Sequence, residues 1–456
     1  MKPRILLVNP PIYDFSAYDF WLKPYGLLRA AGFLRGQADF ALFDFLDRLD
    51  ARVPPGNYRA DRWGRGEFFS RPAAKPQIFN AIPRRFYRFG LPREEFRNSL
   101  AQNERYDFAL IQTGMTYWYL GVKEVIEDLR ARDPNTKIVL GGVYATLAAA
   151  HARALGADLV IEGTDLARLW RFLALAPDER ALPLWDLYPR LQTGVLKLAD
   201  GCPFRCTYCS VPQVYPRFHP RPLERSLAEL ELVRQCGAGH IAFYDDALLY
   251  RPKEILQPFL AEVLRRRIDV DFHTPNALNA RFIDRELAEL MVRAGFKNFY
   301  LGFESAAFGW QKKTGGKIYS DELARAVSHL FAAGAEPRGL HAYLIVGHPG
   351  GDEQAVEDSM RFAHGLGIRV MLSEFSPIPG TPDGEQARRW ADLEEPLWHN
   401  KTAFAALRLG AVEINRLKGL VGELNRRLAG DPAAREISAS GLRPPGIATL
   451  PLSPFH

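Results

Sequence analysis

Three of the chain's four cysteines fall in one short run, Asp200-Gly201-Cys202-Pro203-Phe204-Arg205-Cys206-Thr207-Tyr208-Cys209-Ser210. The spacing of Cys202, Cys206 and Cys209 is Cys-x3-Cys-x2-Cys, so one loop can wrap three thiolates around a small inorganic body. A [4Fe-4S] cluster that only moves electrons takes four protein thiolates. Three leave one iron open to a substrate or cofactor, which turns an electron carrier into a reagent. The rival is a structural zinc site, which usually pairs two cysteine motifs around a four-ligand tetrahedron. Only Cys236 remains for that purpose. It continues the face of Leu227, Leu230 and Val233 at helical spacing and reads as a core cysteine. His219 could complete a zinc site, so both metals stay open on spacing alone. A strand running into the loop favours catalysis.

A loop of this kind needs a scaffold, and from residue 193 onward the sequence alternates apolar strands with amphipathic helices. Strand 195–199 enters the cysteine loop, and Ser226 with Glu229 reads as a capping box for the helix stopping at Cys236-Gly237. Strand 240–244 ends in Asp245-Asp246, strand 270–273 in Thr274-Pro275-Asn276, and strand 298–303 in Glu304-Ser305. Ser320 reads as the N-cap of a helix to 333. Strand 340–346 ends in Gly347-His348-Pro349-Gly350-Gly351, and strand 370–375 in Ser376-Pro377-Ile378-Pro379-Gly380-Thr381. Six such βα units make a partial (β/α)6 barrel, short of the eight that close one. Every polar cluster falls where a strand gives way to its helix, the face on which such barrels keep their chemistry.

Residues 1–174 alternate in the same way, with strands expected at 5–11, 40–45, 107–112, 137–140 and 157–161. Helices lie between them, and Thr164 is the expected N-cap of the last. That pattern predicts a doubly wound, Rossmann-like parallel sheet, which binds ligands beyond the carboxyl ends of its strands. Those ends carry Pro10-Pro11, Thr113-Gly114, Gly141-Gly142 and Glu162-Gly163. Glycines there let a flat or bulky ligand approach the backbone, although they serve equally as tight turns. An insertion at 49–106 is rich in arginine and aromatics: Arg62-Trp63-Gly64-Arg65, then Arg84-Arg85-Phe86-Tyr87-Arg88. Interleaved basic and aromatic residues are the vocabulary of single-stranded nucleic-acid binding. No RNA-binding module signature accompanies them, so a lid or interdomain packing segment is the favoured reading.

The fold expected is therefore α/β. A Rossmann-like domain (1–174) and a linker (175–192) precede the partial barrel (193–385), a helical extension (386–429) and a loosely ordered tail (430–456). A length of 456 residues accommodates two domains. With 47% hydrophobic and 25% charged residues the composition is that of an ordinary globular protein. The net charge of +6 permits an anionic partner without requiring one. No stretch has the length and apolarity of a transmembrane helix, and the first apolar run is too short for a signal peptide. Clustered thiols without a disulfide framework fit a reducing cytosol, so a cytoplasmic protein is expected.

The cysteine loop is followed by Phe243-Tyr244-Asp245-Asp246, Thr274-Pro275-Asn276, Gly302-Phe303-Glu304-Ser305, Gly347-His348-Pro349-Gly350 and Pro377-Ile378-Pro379-Gly380-Thr381. Together these resemble a radical SAM enzyme over about 193–385. More narrowly, with 1–170 included, the chain resembles the subgroup with an N-terminal cobalamin-binding domain. The resemblance implies that Cys202, Cys206 and Cys209 hold a [4Fe-4S] cluster whose open iron binds S-adenosylmethionine. One electron then splits the sulfonium C–S bond and gives a 5′-deoxyadenosyl radical. It implies cofactor contacts at Tyr208, Asp245, Glu304, Ser305, Gly347 and Gly350, with Asp246 sharing the acidic strand end. For cobalamin it implies Pro10, Thr113, Gly114, Gly141, Gly142 and Gly163. An electron donor such as flavodoxin or ferredoxin is a further implied partner. The chain departs from the pattern twice. It lacks the Asp-x-His-x-x-Gly that supplies a cobalt ligand, and Gly163-Thr164-Asp165 stands where relatives often show Gly-Glu-x-Glu. The methylthiotransferase branch, whose N-terminal domain brings further cluster cysteines, fits poorly. The reaction expected is methyl transfer to an unactivated carbon of an unnamed substrate. The alternatives are a cobalamin-free rearrangement, oxidation or cyclisation, and a zinc-stapled nucleic-acid-binding protein.

Overall fold

In the computed structural model, which describes residues 2–430, the N-terminal apolar runs pair into a parallel sheet. Its strands are β1 (Arg4–Asn9), β2 (Asp39–Asp44), β3 (Phe108–Thr113), β4 (Lys137–Gly142) and β5 (Leu159–Ile161), in the order β2-β1-β3-β4-β5. Alternation along β1 sends Ile5 and Leu7 to the layer built with Leu27 and Ala31 of helix Tyr25–Gly32. Leu6 and Val8 go to the layer built with Val122 and Val125 of helix Tyr119–Arg132. The sheet is covered on both faces, and the strand order reverses between β1 and β3, where such sheets open their ligand crevice.

Two local expectations fail in this half. The helix expected over 146–155 is two short ones, Val143–Leu147 and Ala149–Ala154. Thr164 is not a cap: the last helix is Ala167–Leu173, and its Ala167 N–H is taken up by the Asp165 carboxylate at 2.9 Å. The insertion folds onto the domain. Tyr87–Phe89 pairs antiparallel with Ile12–Asp14 and Ser70–Pro72. Arg88 forks onto Glu124 at 2.9 and 2.7 Å, and Arg48 pairs with Asp19 at 2.7 Å. These buried pairs are intramolecular packing.

The second half supplies six parallel strands: β6 (Thr193–Leu196), β7 (His240–Phe243), β8 (Asp271–His273), β9 (Phe299–Glu304), β10 (Leu340–Val346) and β11 (Arg369–Glu374). They form two triplets, β8-β7-β6 and β9-β10-β11, linked by parallel bridges Phe272–Phe296 and Leu278–Leu301. Phe299, Leu301 and Phe303 of β9, with Leu340, Ala342 and Leu344 of β10, face the helices. The alternate residues Tyr300, Gly302 and Glu304, and His341, Tyr343 and Ile345, face the lumen. The base of that lumen is filled from the N-terminal half. Trp21 stacks on His273 with centroids 4.3 Å apart, Phe20 packs on Tyr300, and Trp63 joins them. The Arg65 guanidinium lies 5.1 Å from the Phe20 and Trp63 rings and donates to the Tyr300 hydroxyl. The same guanidinium pairs with the Asp61 carboxylate at 2.6 Å, so its charge is met by a carboxylate as well as by aromatic faces and a phenol oxygen.

Two further caps are corrected here. Ser226 lies inside helix Leu223–Gln235, its hydroxyl turned back to the Pro222 carbonyl, and Glu229 is bonded to the Tyr25 hydroxyl. Ser320 is the first residue of helix Ser320–Ala332, and the cap contact is made by Glu322 accepting from Tyr319 N–H at 2.8 Å. Cys236 packs against the core but stays half-exposed. Helices Lys401–Leu409 and Ala411–Gly430 form the extension. Just before it His399 bonds Thr116 and Asn400 bonds Asp14, each at 2.9 Å, tying the extension to the N-terminal domain. Beyond Gly430, the tail expected from residue 430 lies outside the described residues. Among those residues no helix is long and apolar enough to cross a membrane.

Candidate active site

The cysteine loop leaves β6 and runs over the upper mouth of the barrel, where a cavity of about 450 Å³ opens between the two halves of the chain. Cys202, Cys206 and Cys209 all line it, with Tyr208 between the last two. Strand ends supply Asp246, Asn276, Glu304, Ser373 and Glu374, and the facing wall is Met115, Thr116, Tyr117, Val143 and Leu147 of the N-terminal domain. Met115 and Val143 are unusually open for apolar side chains, at 49% and 36% exposure, because they form this wall.

Burial holds each thiol above the usual cysteine range against the opposing charge of Lys317; Cys209 is pushed up to about 12. Three thiols that resist becoming thiolates together are a donor set that a cationic iron–sulfur core would relieve. A single zinc would draw its sulfurs within roughly 4 Å of one another. Among the described residues no three His, Cys, Asp or Glu side chains converge closely enough to share one ion. What the three thiols share is the wall of one cavity.

Glu304 is the most constrained residue of the site. The pairing of β9 with β10 shifts register between Gly302 and Glu304, and Glu304 takes φ +69°, a conformation unfavourable for a non-glycine residue. The shift turns its carboxylate into the cavity, 3.5 Å from Lys317 Nζ. Burial pushes the Glu304 carboxyl up, and Lys317 opposes it. Burial also pushes the Lys317 ammonium down, but Glu304 and the three thiols outweigh that and hold it above its ordinary value. Lys317 was not among the residues singled out by sequence. Its one signal is Gly302: a Cβ there would stand 2.7 Å from Lys317 Nζ and 3.0 Å from Ala277 Cβ, so any larger residue would push the ammonium aside.

The acidic strand end divides differently from expectation. Asp245 is buried at 3% exposure, and its carboxylate accepts from the N–H groups of Leu198 (2.9 Å) and Ala199 (2.7 Å). Burial pushes it up to about 7. It braces the chain entering the cysteine loop and is turned away from the cavity. Asp246 lines the cavity instead, its Oδ2 without a hydrogen bond and Lys197 Nζ standing 3.6 Å off. The side-chain amide of Asn279, another wall residue, also lacks an acceptor. Both are ready to receive a polar ligand. Tyr208 stacks on Trp310 (5.9 Å, 15°) with its hydroxyl toward Cys206 and Glu304. Ser305, Gly347 and Gly350 do not form the wall. Ser305 accepts from Ala307 N–H at 3.2 Å, Gly347 abuts Ala405, and Gly350 N–H is bonded to His348 at 3.1 Å.

A second cavity, of about 740 Å³, lies at the carboxyl ends of β3, β4 and β5 and meets the first at Val143. Gly141, Gly142 and Gly163 line it, as do Gly26 and Leu27 of the first helix, Phe33 just after it, and Tyr215, Arg217 and Arg225 from the barrel side. Gly142 has φ +119°, and a Cβ would stand 2.4 Å from the Thr113 carbonyl oxygen, so no other residue fits that strand end. Pro10, Thr113 and Gly114 stand outside this wall. Thr113 is buried, bonded to Gly141 O and Ala145 N, while Gly114 packs on Trp118.

Residues 196–363 match the radical SAM superfamily. Over 216 residues the chain is 28% identical to an uncharacterized methyltransferase of Pyrococcus horikoshii, covering 45% of each protein. Over 279 residues it is 23% identical to the threonylcarbamoyladenosine tRNA methylthiotransferase MtaB of Thermotoga maritima, covering 57% of this chain and 64% of that one. The chain thus spans less than two thirds of these curated relatives. Among solved structures, the radical S-adenosylmethionine methyltransferase TsrM of Kitasatospora setae, bound to tryptophan and a SAM analogue, aligns with a TM-score of 0.65. The identity is 16%, over 95% of this chain and 90% of that one. The cobalamin-dependent radical enzyme OxsB with aqua-cobalamin aligns with a TM-score of 0.55 at 13% identity, over 91% and 56%. These likenesses show the fold: a Rossmann-like domain joined to a radical SAM barrel.

Proposed function

Since residues 196–363 belong to the radical SAM superfamily, whose members are enzymes using a [4Fe-4S] cluster and S-adenosylmethionine, we propose that this chain is a cobalamin-dependent methyltransferase acting on an unactivated carbon. When bound, the cluster supplies the electron that breaks the sulfonium bond of S-adenosylmethionine, and cobalamin supplies a carrier for the methyl group. Cys202, Cys206 and Cys209 hold the cluster, and Glu304, Lys317, Asp246 and Tyr208 orient the charged and polar groups of S-adenosylmethionine beside it. Gly141, Gly142 and Gly163 let the corrin lie against the strand ends, with Val143 and Leu27 presenting an apolar surface to it. The Trp21–Arg65 stack below and the N-terminal wall above keep water from the reacting atoms.

One observation carries this reading. The cavity lined by the three thiols and the larger cavity at the Rossmann strand ends share Val143 as a common wall, so two cofactors would meet over one substrate space. An electron donor such as flavodoxin or ferredoxin and a reducing cytoplasm complete the proposal. The test is anaerobic reconstitution with iron and sulfide, with and without hydroxocobalamin, followed by S-adenosylmethionine carrying a deuterated methyl group. Cluster absorption, one bound cobalamin per chain and label appearing on the cobalamin support the reading. Formation of 5′-deoxyadenosine with no cobalamin uptake refutes the methyl-carrier half. No cluster and no deoxyadenosine refute all of it.

A further inference from the structure

Gly347-His348-Pro349-Gly350 does not line the cavity, yet its histidine is buried at 4% exposure and reaches the cysteine loop through one intermediary. That intermediary is Asp383, at the start of helix Pro382–Ala387 and itself 3% exposed. Asp383 holds Thr207, the residue directly after Cys206, at two points. Its N–H donates to the Thr207 carbonyl at 3.1 Å, and its Oδ2 accepts from the Thr207 hydroxyl. His348 Nδ1 accepts the Gly350 N–H at 3.1 Å, which leaves the ring proton on Nε2. Nε2 stands 2.9 Å from the same Asp383 Oδ2, close enough to pair with its charge although the ring N–H is not aligned for a hydrogen bond. The other carboxylate oxygen accepts from Gln386 at 3.1 Å. The histidine ring also lies edge-on to Trp310 at 5.4 Å, and Trp310 is the ring stacked on Tyr208. So the two residues between Cys206 and Cys209 are each gripped from outside the loop, Thr207 by Asp383 and Tyr208 by Trp310, and His348 touches both grips.

We infer that Asp383, oriented by His348, is a positioning residue for the cysteine loop, fixing Thr207 and with it the spacing of Cys206 and Cys209 around the cluster. The inference rests on the proposed reading of these cysteines as cluster ligands. A contact that only packed the 382–387 segment would need one hydrogen bond; this one supplies a backbone clamp, a side-chain clamp and an oriented imidazole. It also sets a buried carboxylate on the residue next to Cys206, where negative charge disfavours adding an electron to the cluster.

The test uses the full-length, anaerobically reconstituted protein with Asp383→Asn, His348→Gln, Thr207→Val and Thr207→Ser. Bound iron, the cluster midpoint potential and the EPR spectrum of the reduced cluster are read with and without S-adenosylmethionine. Asp383→Asn is expected to shift the potential to more positive values and to alter the spectrum, with His348→Gln moving it the same way by less. Thr207→Val is expected to change the spectrum, and Thr207→Ser, which keeps the hydroxyl, to restore the wild-type one. Loss of iron from a folded Asp383→Asn protein would also support the inference. Wild-type iron, potential and spectrum in Asp383→Asn and Thr207→Val would overturn it, and should Asp383→Asn fail to fold, Thr207→Val decides. A wild-type chain that takes up no cluster is a failure of the underlying reading, seen before any variant is made.

Discussion

Replacing Asp245 separates two roles that a strand-end acid can play. Its carboxylate accepts from two buried backbone N–H groups, Leu198 and Ala199. Asp245→Ala leaves both without an acceptor, at about 1–3 kcal/mol each. Asp245→Asn keeps one acceptor oxygen and removes a charge that the site holds at a disadvantage, since burial raises the carboxyl from 3.8 to about 7. A raised carboxyl means that the folded state binds the proton more tightly than the unfolded chain. Stability attributable to Asp245 is therefore highest in acid and falls as pH rises between those two values. Over that full range the loss is roughly 4 kcal/mol, of which somewhat more than half lies between about pH 5 and about pH 8. Asp245→Asn should thus match or exceed wild-type stability at about pH 8 and lose roughly 2–3 kcal/mol of that relative standing at about pH 5. Asp245→Ala should melt lower than wild type at both. The assay is thermal unfolding of the apo protein at the two pH values, at about 2–4 °C per kcal/mol for a domain of this size. 5′-Deoxyadenosine formation by the reconstituted variants is measured alongside. Asp245→Asn should retain it within about twofold. If instead Asp245→Asn melts as wild type at both pH values and forms no deoxyadenosine with its cluster intact, the carboxylate serves the cofactor and the structural argument is wrong.

Lys317→Met should leave cluster loading intact but raise the S-adenosylmethionine concentration needed for cleavage by at least about tenfold, the loss of roughly one charge-assisted contact; titration of deoxyadenosine formation checks it. Asp246→Asn should weaken S-adenosylmethionine binding, whereas Asp245→Asn should not, and equilibrium dialysis distinguishes them. Gly142→Ala forces a left-handed conformation and a clash with the Thr113 carbonyl, at about 1–3 kcal/mol of strain. Its expected result is reduced cobalamin retention on gel filtration with iron content unchanged. Arg65→Met should lower the melting temperature by a few degrees by removing the cation from the Phe20, Trp21 and Trp63 rings, at about 0.5–2 kcal/mol.

The cysteine loop, both sheets and the face carrying the chemistry were legible in the sequence because each leaves a local trace: clustered thiols, alternating apolar runs, polar residues at strand ends. What was not legible depends on register and on distant partners. Asp245 and Asp246 are adjacent, and a strand end points neighbouring side chains to opposite sides, so their roles turn on a single residue of register. Ser226 and Glu229 have a capping-box spacing, but the same spacing occurs inside a helix once Pro222 has started it a turn earlier. Lys317 follows a helix of six residues in a glycine turn, and nothing local marks it as the partner of Glu304. Gly347 and Gly350, singled out by their motif, lie outside the cavity wall and shape the turn that brings His348 to Asp383. The arginines of the insertion left a nucleic-acid surface open beside the favoured packing segment, since their acidic and aromatic partners lie far away in sequence, Glu124 for Arg88 and Tyr300 for Arg65.

The filling of the barrel's base has a consequence for how this enzyme can be taken apart. Trp21, Trp63 and Arg65 come from the first seventy residues, yet they sit on His273, Tyr300 and the rings around them. The six strands are therefore not a portable cassette. Cut free as 193–385, they would open an aromatic shaft to solvent beneath the cysteine-lined cavity. Any chimera that exchanges the N-terminal domain for another must carry residues 20–21 and 61–65 across with the barrel.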